Sequence, residues 1–91
     1  MSEIFNEVTI INKLGLHARA AATLVRVTSR FDCNIKIGKG RFMVDAKSIL
    51  GMMTLAAGPG TVLRIQCDGS DASAAMAAVK DCIAERFGED E

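Results

Sequence analysis

The sequence predicts an α+β fold: an open-faced β-sandwich, in which three helices cover one side of a four-stranded antiparallel sheet in the order β-α-β-β-α-β-α. Three observations predict it. Apolar residues alternate with period two in four short segments, helical spacing governs the segments between and after them, and glycine marks the junctions. Strands with a single apolar face need a single cover, so all the helices belong on one side. Ninety-one residues suffice for one such core, and residues 1–91 read as a single domain without linker or repeat.

The first strand is EIFNEVTII, with Val8 and Ile10 on one face and Glu7 and Thr9 on the other. ARAAATLVRVTSR, from Ala18 to about Arg30, places Ala21, Leu24, Val25 and Thr28 at helical spacing. CNIKIGKGRFMVDA alternates at Ile35 and Ile37, then at Phe42 and Val44. Gly38 and Gly40 lie between, so this is a hairpin with a glycine-rich turn. KSILGMMTLAAG opens on Ser48, a favoured N-cap residue, and ends at Gly58, where GPGT stops any helix. TVLRIQC sets Leu63, Ile65 and Cys67 on one face of a fourth strand. The long alanine-rich helix SDASAAMAAVKDCIAERF carries Met76, Val79, Ile83 and Phe87 at i, i+3, i+7 and i+11, followed by a frayed acidic tail, GEDE.

Composition excludes several classes. No run of ~18 apolar residues exists, and MSEIFNEVT is acidic and strand-like, so neither a membrane span nor a signal peptide is expected. Cys33, Cys67 and Cys82 are an odd count without C-x-x-C spacing, as expected of reduced thiols in a cytoplasmic protein. Formal net charge is zero, yet residues 1–50 hold eight Lys or Arg against four Asp or Glu, and residues 51–91 hold three against seven. Without Trp, Tyr or a dense basic run the chain is no nucleic-acid binder. Its first half suits an acidic protein or a phosphate.

Two places carry candidate chemistry. The only histidine, His17, lies in KLGLHARAA, two residues after Gly15 and directly before a helix. No companion completes a metal site or nucleophilic triad, and no metal or cofactor is expected. A helix start offers free N–H groups and partial positive charge to an anion. Arg19 adds a planar cation suited to phosphate oxygens. Ala18, Ala20 and Ala21 are small enough for a partner to approach closely. A neutral imidazole has one nucleophilic ring nitrogen, so His17 suits acceptance of a phosphoryl group, the plain alternative being a surface histidine that caps the helix. The second place is Ser48 with ILGMM behind it. A short helix cannot bury every face, so some of Ile49, Leu50, Met52 and Met53 should form an exposed docking patch.

NKLGLHARAAATLV followed by DAKSILGMMTLAAGPGT resembles the HPr family, the histidine-containing phosphocarriers of the phosphoenolpyruvate phosphotransferase system. The resemblance runs from the first strand to the last helix. It implies a relay in which the system's first enzyme phosphorylates His17 at Nδ1 and IIA components take the phosphate away. Arg19 matches the arginine that steadies the phosphoryl group, and Ser48 the regulatory serine that a serine kinase/phosphorylase modifies in some members. Ala20, Arg26, Ile49, Leu50 and Met53 match the partner-docking surface. The implied protein is a monomeric carrier and not an enzyme. Ala20 stands where the family commonly has proline. TIINKLGLHARAA also resembles the nitrogen-regulatory branch, which leaves sugar transport and regulation both open. The other readings of the residues are an adaptor acting through Ser48 alone and a small-ligand regulatory domain. An autonomous enzyme is not expected, since GKGR lacks a Walker pattern.

Overall fold

Alternating strands need hydrogen-bonding neighbours for their backbone and a cover for one set of side chains. The computed structural model, which describes residues 3–91, meets both needs with β1 (Glu3–Thr9), α1 (Ala18–Thr28), β2 (Asn34–Lys39), β3 (Phe42–Asp45), α2 (Ile49–Met53), β4 (Val62–Asp68) and α3 (Ala72–Ala84). The sheet order is β1-β4-β2-β3, and every pair is antiparallel. This is the expected open-faced architecture.

The pairing register puts the apolar residues of each strand on one face. Val8 lies opposite Leu63, Ile65 opposite Ile37, and Cys67 opposite both Ile4 and Ile35. Leu63, Ile65 and Cys67 are fully buried under Leu24 of α1 and Met76, Val79 and Ile83 of α3, in one continuous core. Ala20 and Ala21 of α1 and Ala72 and Ala75 of α3 are buried too, and their small size lets the helices lie close to the sheet. The other face is open. There Phe5, half exposed, lies under the Arg64 guanidinium at 5.6 Å from its ring centroid, a cation–π contact that explains an aromatic residue in solvent.

Three expectations need correction. Helix α3 stops at Ala84 rather than running through Phe87: Arg86 and Phe87 turn left-handed (φ 57° and 54°), and Phe87 reaches the core from a short 3₁₀ turn, Arg86–Gly88. The helical spacing of Phe87 was therefore coincidental. Phe42 does not share the burial of Val44. It lies opposite Lys39 at the tip of the hairpin and is exposed, beyond the reach of the covering helices. The acidic tail is not frayed, because the backbone N–H of Lys13 donates to the carbonyl of Glu91 at 2.9 Å and the Glu89 side chain contacts residues of the α1 entry.

Two junctions hold the ends of the helices. The Asp71 carboxylate, just before α3, accepts the N–H groups of Asp32 at 2.8 Å and Cys33 at 2.9 Å, tying α3 to the entry of β2. These bonds, led by that from Asp32, hold its carboxyl below the usual carboxylate range despite opposing desolvation. The turn entering α1 is seated on the loop after α2: Leu16 N–H donates to Ala57 at 2.8 Å, and Gly15 adopts φ +68°. A Cβ on Gly15 would lie 2.4 Å from the Ala57 oxygen and 2.8 Å from the Gly58 Cα.

Asp71→Ala should lower the melting temperature at neutral pH. Because the Asp71 pKa is depressed in the folded state, its stabilisation is present above the unfolded carboxylate value and disappears as pH falls through the folded one. The gap between wild type and variant should therefore narrow in melts carried out below about pH 4. Gly15→Ala should destabilise the fold by at least roughly 1–2 kcal/mol from the left-handed backbone alone. Denaturant unfolding measures it, and a shift confined to a few tenths would contradict the close approach.

Candidate functional site

The first N–H groups of a helix need acceptors, and here a ring nitrogen supplies one. His17 is the N-cap of α1, with extended backbone (φ −82°, ψ 180°), and its carbonyl accepts the first intrahelical bond from Ala21 at 2.8 Å. Its Nδ1 accepts the N–H of Arg19 at 3.3 Å. The first turn of α1 contains no acidic residue, so nothing in the helix itself neutralises the positive end beside Nδ1. The His17 side chain is 26% exposed and that of Arg19 is 73% exposed, which leaves both within reach of a partner.

The opposite edge of the ring meets a carboxylate from the far end of the chain. His17 Nε2 lies 2.5 Å from Glu89 Oε2, and Arg19 Nε lies 3.8 Å from the same oxygen. Asn12, wholly buried, donates through Nδ2 to Glu89 Oε1 at 2.9 Å and to the Gly15 carbonyl at 2.8 Å. Burial works to raise the Glu89 pKa, but the hydrogen bonds from Asn12 and His17, with the charges of His17 and Arg19, outweigh it and hold the carboxyl below its ordinary value. Neither Asn12 nor Glu89 stands out in the sequence. The one local signal is a polar residue breaking the apolar run TIIN just before a glycine turn. For Glu89, 72 residues from His17, no local signal exists.

The second predicted place lies beside the first. Ser48 caps α2, its Oγ accepting the Gly51 N–H at 3.0 Å. Met52 anchors α2 in the core, while Ile49, Leu50 (78% exposed) and Met53 face outward with Leu14. A shallow depression lined by Leu14, His17, Met53 and Ala56 joins the imidazole to this apolar surface. Arg26 is exposed further along α1 and donates to Thr23 Oγ1 at 3.1 Å. Ala20 is the exception. It is fully buried, because position 20 falls on the core-facing side of α1, so it offers no docking surface and no close approach to a partner. Ala21 is likewise buried, leaving only Ala18 of the three alanines exposed.

The cysteines lie elsewhere and are all buried and unpaired. Burial, followed by the hydrogen bond to Asp71, pushes the Cys33 thiol up to about 12, and burial raises Cys67 and Cys82 as well, so none is poised as a thiolate. Among the described residues no group of His, Cys, Asp and Glu could hold a metal ion, and no helix is long and apolar enough to cross a membrane.

The arrangement has known counterparts. Residues 4–85 match the family model for the PTS HPr component phosphorylation site. The phosphocarrier protein HPr of Xylella fastidiosa (strain Temecula1) is 51% identical over 86 residues, covering 93% of this chain and 96% of the relative. The crystal structure of HPr-C-His from Thermoanaerobacter tengcongensis superposes with a TM-score of 0.89 at 40% identity and covers all of both chains. That of an HPr dimer from the same organism gives a TM-score of 0.76 at 40% identity, covering 98% of this chain and all of that one. With a family model spanning most of the sequence and relatives aligned nearly end to end, the chain belongs to the HPr family of phosphocarrier proteins of the phosphotransferase system.

Proposed function

We propose that the chain carries a phosphoryl group on His17 Nδ1, received from the phosphorylated first enzyme of the phosphotransferase system and passed on to IIA components. The observation that carries this reading is the N-cap geometry. Nδ1 sits at the positive end of α1 against the Arg19 N–H, so a phosphoryl group on that nitrogen would meet free helix N–H groups and the Arg19 guanidinium. The protein supplies the carrier atom, while its partners supply the chemistry of donation and acceptance. It is therefore an intermediate in a relay and not an enzyme.

The docking surface in this proposal is Leu14, Ile49, Leu50 and Met53, with Arg19 and Arg26 as its basic rim. A carrier must leave each partner as readily as it arrives, and a small apolar patch steered by charge suits that better than a large obligate interface. The chain acts as one monomeric domain in the cytoplasm, a setting that suits three unpaired thiols. Ser48 is the regulatory site for a serine kinase. Its phosphate would add about −1.5 to −2 charges at the docking patch, and would be tolerated at the start of α2.

Incubation with phosphoenolpyruvate and the relay's first enzyme should label the wild type with an acid-labile, base-stable phosphate and leave His17→Ala unlabelled. Labelling of both proteins, or of neither, contradicts the assignment of His17. Ser48→Ala should lose about 1 kcal/mol of stability with its cap and still accept phosphate. Ser48→Asp keeps a side chain able to cap α2, so it should melt near the wild type yet accept phosphate more slowly. Wild-type acceptance by Ser48→Asp would remove the regulatory role.

A further inference from the structure

Glu89 meets His17 in a way that the carrier reading leaves unused. Asn12 has two N–H donors on Nδ2, and they go to the Gly15 carbonyl and Glu89 Oε1, so the nitrogen must face both. A carboxylate presents acceptors only, and the Asn12 donor at 2.9 Å and the Arg19 guanidinium at 3.8 Å both favour that form of Glu89. Its second oxygen, Oε2, faces His17 Nε2 at 2.5 Å. On the other edge of the ring the Arg19 backbone N–H, 3.3 Å from Nδ1, can only donate. One neutral tautomer satisfies an acceptor on one side and a donor on the other: the proton on Nε2 and the lone pair on Nδ1.

We propose that Glu89 is a positioning residue, whose carboxylate, steadied by buried Asn12, holds the proton on His17 Nε2 and keeps Nδ1 as the bare nucleophile. The role rests on phosphoryl transfer at His17 as set out above. In that transfer the Nδ1 lone pair forms the N–P bond while the bond from phosphorus to the phosphorylated donor breaks, its electron pair leaving with the donor. The Nε2 proton stays where it is. The ring therefore becomes cationic, and the Glu89 carboxylate faces the new charge through Nε2–H. On delivery the N–P bond breaks, its electrons return to Nδ1, and the ring is neutral again. No proton has to be found or shed in either direction. Glu89 approaches the edge of the ring away from Nδ1, so it leaves the nucleophile uncovered. Its second support is local, since the carbonyl of Glu91 holds the Lys13 N–H at 2.9 Å and keeps the segment against the α1 entry.

Glu89→Gln tests this, because glutamine has one acceptor oxygen for two donors. His17 is the only histidine, so its ring nitrogens can be followed without ambiguity in the full ¹⁵N-labelled chain at a pH where the ring is neutral. The wild type should show Nδ1 bare and Nε2 protonated, and Glu89→Gln should show a mixture of tautomers. Acceptance of phosphate from the phosphorylated first enzyme should slow by about 10- to 100-fold, with the backbone amide spectrum unchanged outside the α1 entry and the segment around position 89. A wild-type tautomer and rate in Glu89→Gln, or a faster rate, overturns the positioning role while His17-dependent labelling of the wild type keeps the carrier reading. A wild type that takes no phosphate at all overturns both.

Discussion

The structure depends on one strand being apolar on one side and hydrogen-bonded on both edges. β4 pairs with β1 and β2, and its Leu63, Ile65 and Cys67 lie wholly buried at the middle of the core. Each of these residues aligns a neighbour's apolar residue beside it, and together they set the surface on which α1 and α3 rest. Slipping the register by one would turn these side chains to solvent, so the alternation specifies the pairing as well as the core. The open face follows from the same constraint, because the chain has helices enough to cover one side only.

The proposed site lies at one rim of that sandwich, where three segments distant in sequence end together. The α1 entry brings His17 and Arg19, α2 brings Ser48 and its outward apolar residues, and the segment after α3 brings Glu89. Their chemistry divides by exposure. Met52 and Ala20 are fully buried and fix the two helices in place, while Leu50 and Arg19 are mostly exposed. The tight seat of Gly15 on Ala57 sets the level at which the imidazole emerges, so a backbone contact governs the reach of the site.

The electrostatics of the rim are balanced between the two edges of a single ring. Nδ1 faces the partial positive charge of a helix start, where an anion is welcome, and Nε2 faces a carboxylate, where a cation is welcome. Such an arrangement suits a side chain that is neutral when empty and becomes a cation joined to an anion when loaded. The remaining ionisable cores of the molecule, the three thiols, are kept neutral by burial and stand outside this balance.

The sequence by itself determined the element order, the one-sided core, the place of His17 at a helix start with Arg19 beside it, and the exposed part of ILGMM. Each of these rests on local periodicity or on a capping position, which neighbouring residues carry. Local pattern misled where tertiary packing took over, since Phe87 kept helical spacing beyond the end of α3 and Phe42 kept strand alternation beyond the reach of the helices. The docking role that the resemblance implied for Ala20 fails because position 20 shares the core side of α1 with Leu24 and Thr28. Only the tertiary structure decided that Asn12 and Glu89 would join His17. Their meeting depends on how far α3 runs before it breaks at Glu85 and on the level at which the Gly15 turn sits, and no window of neighbouring residues contains either distance.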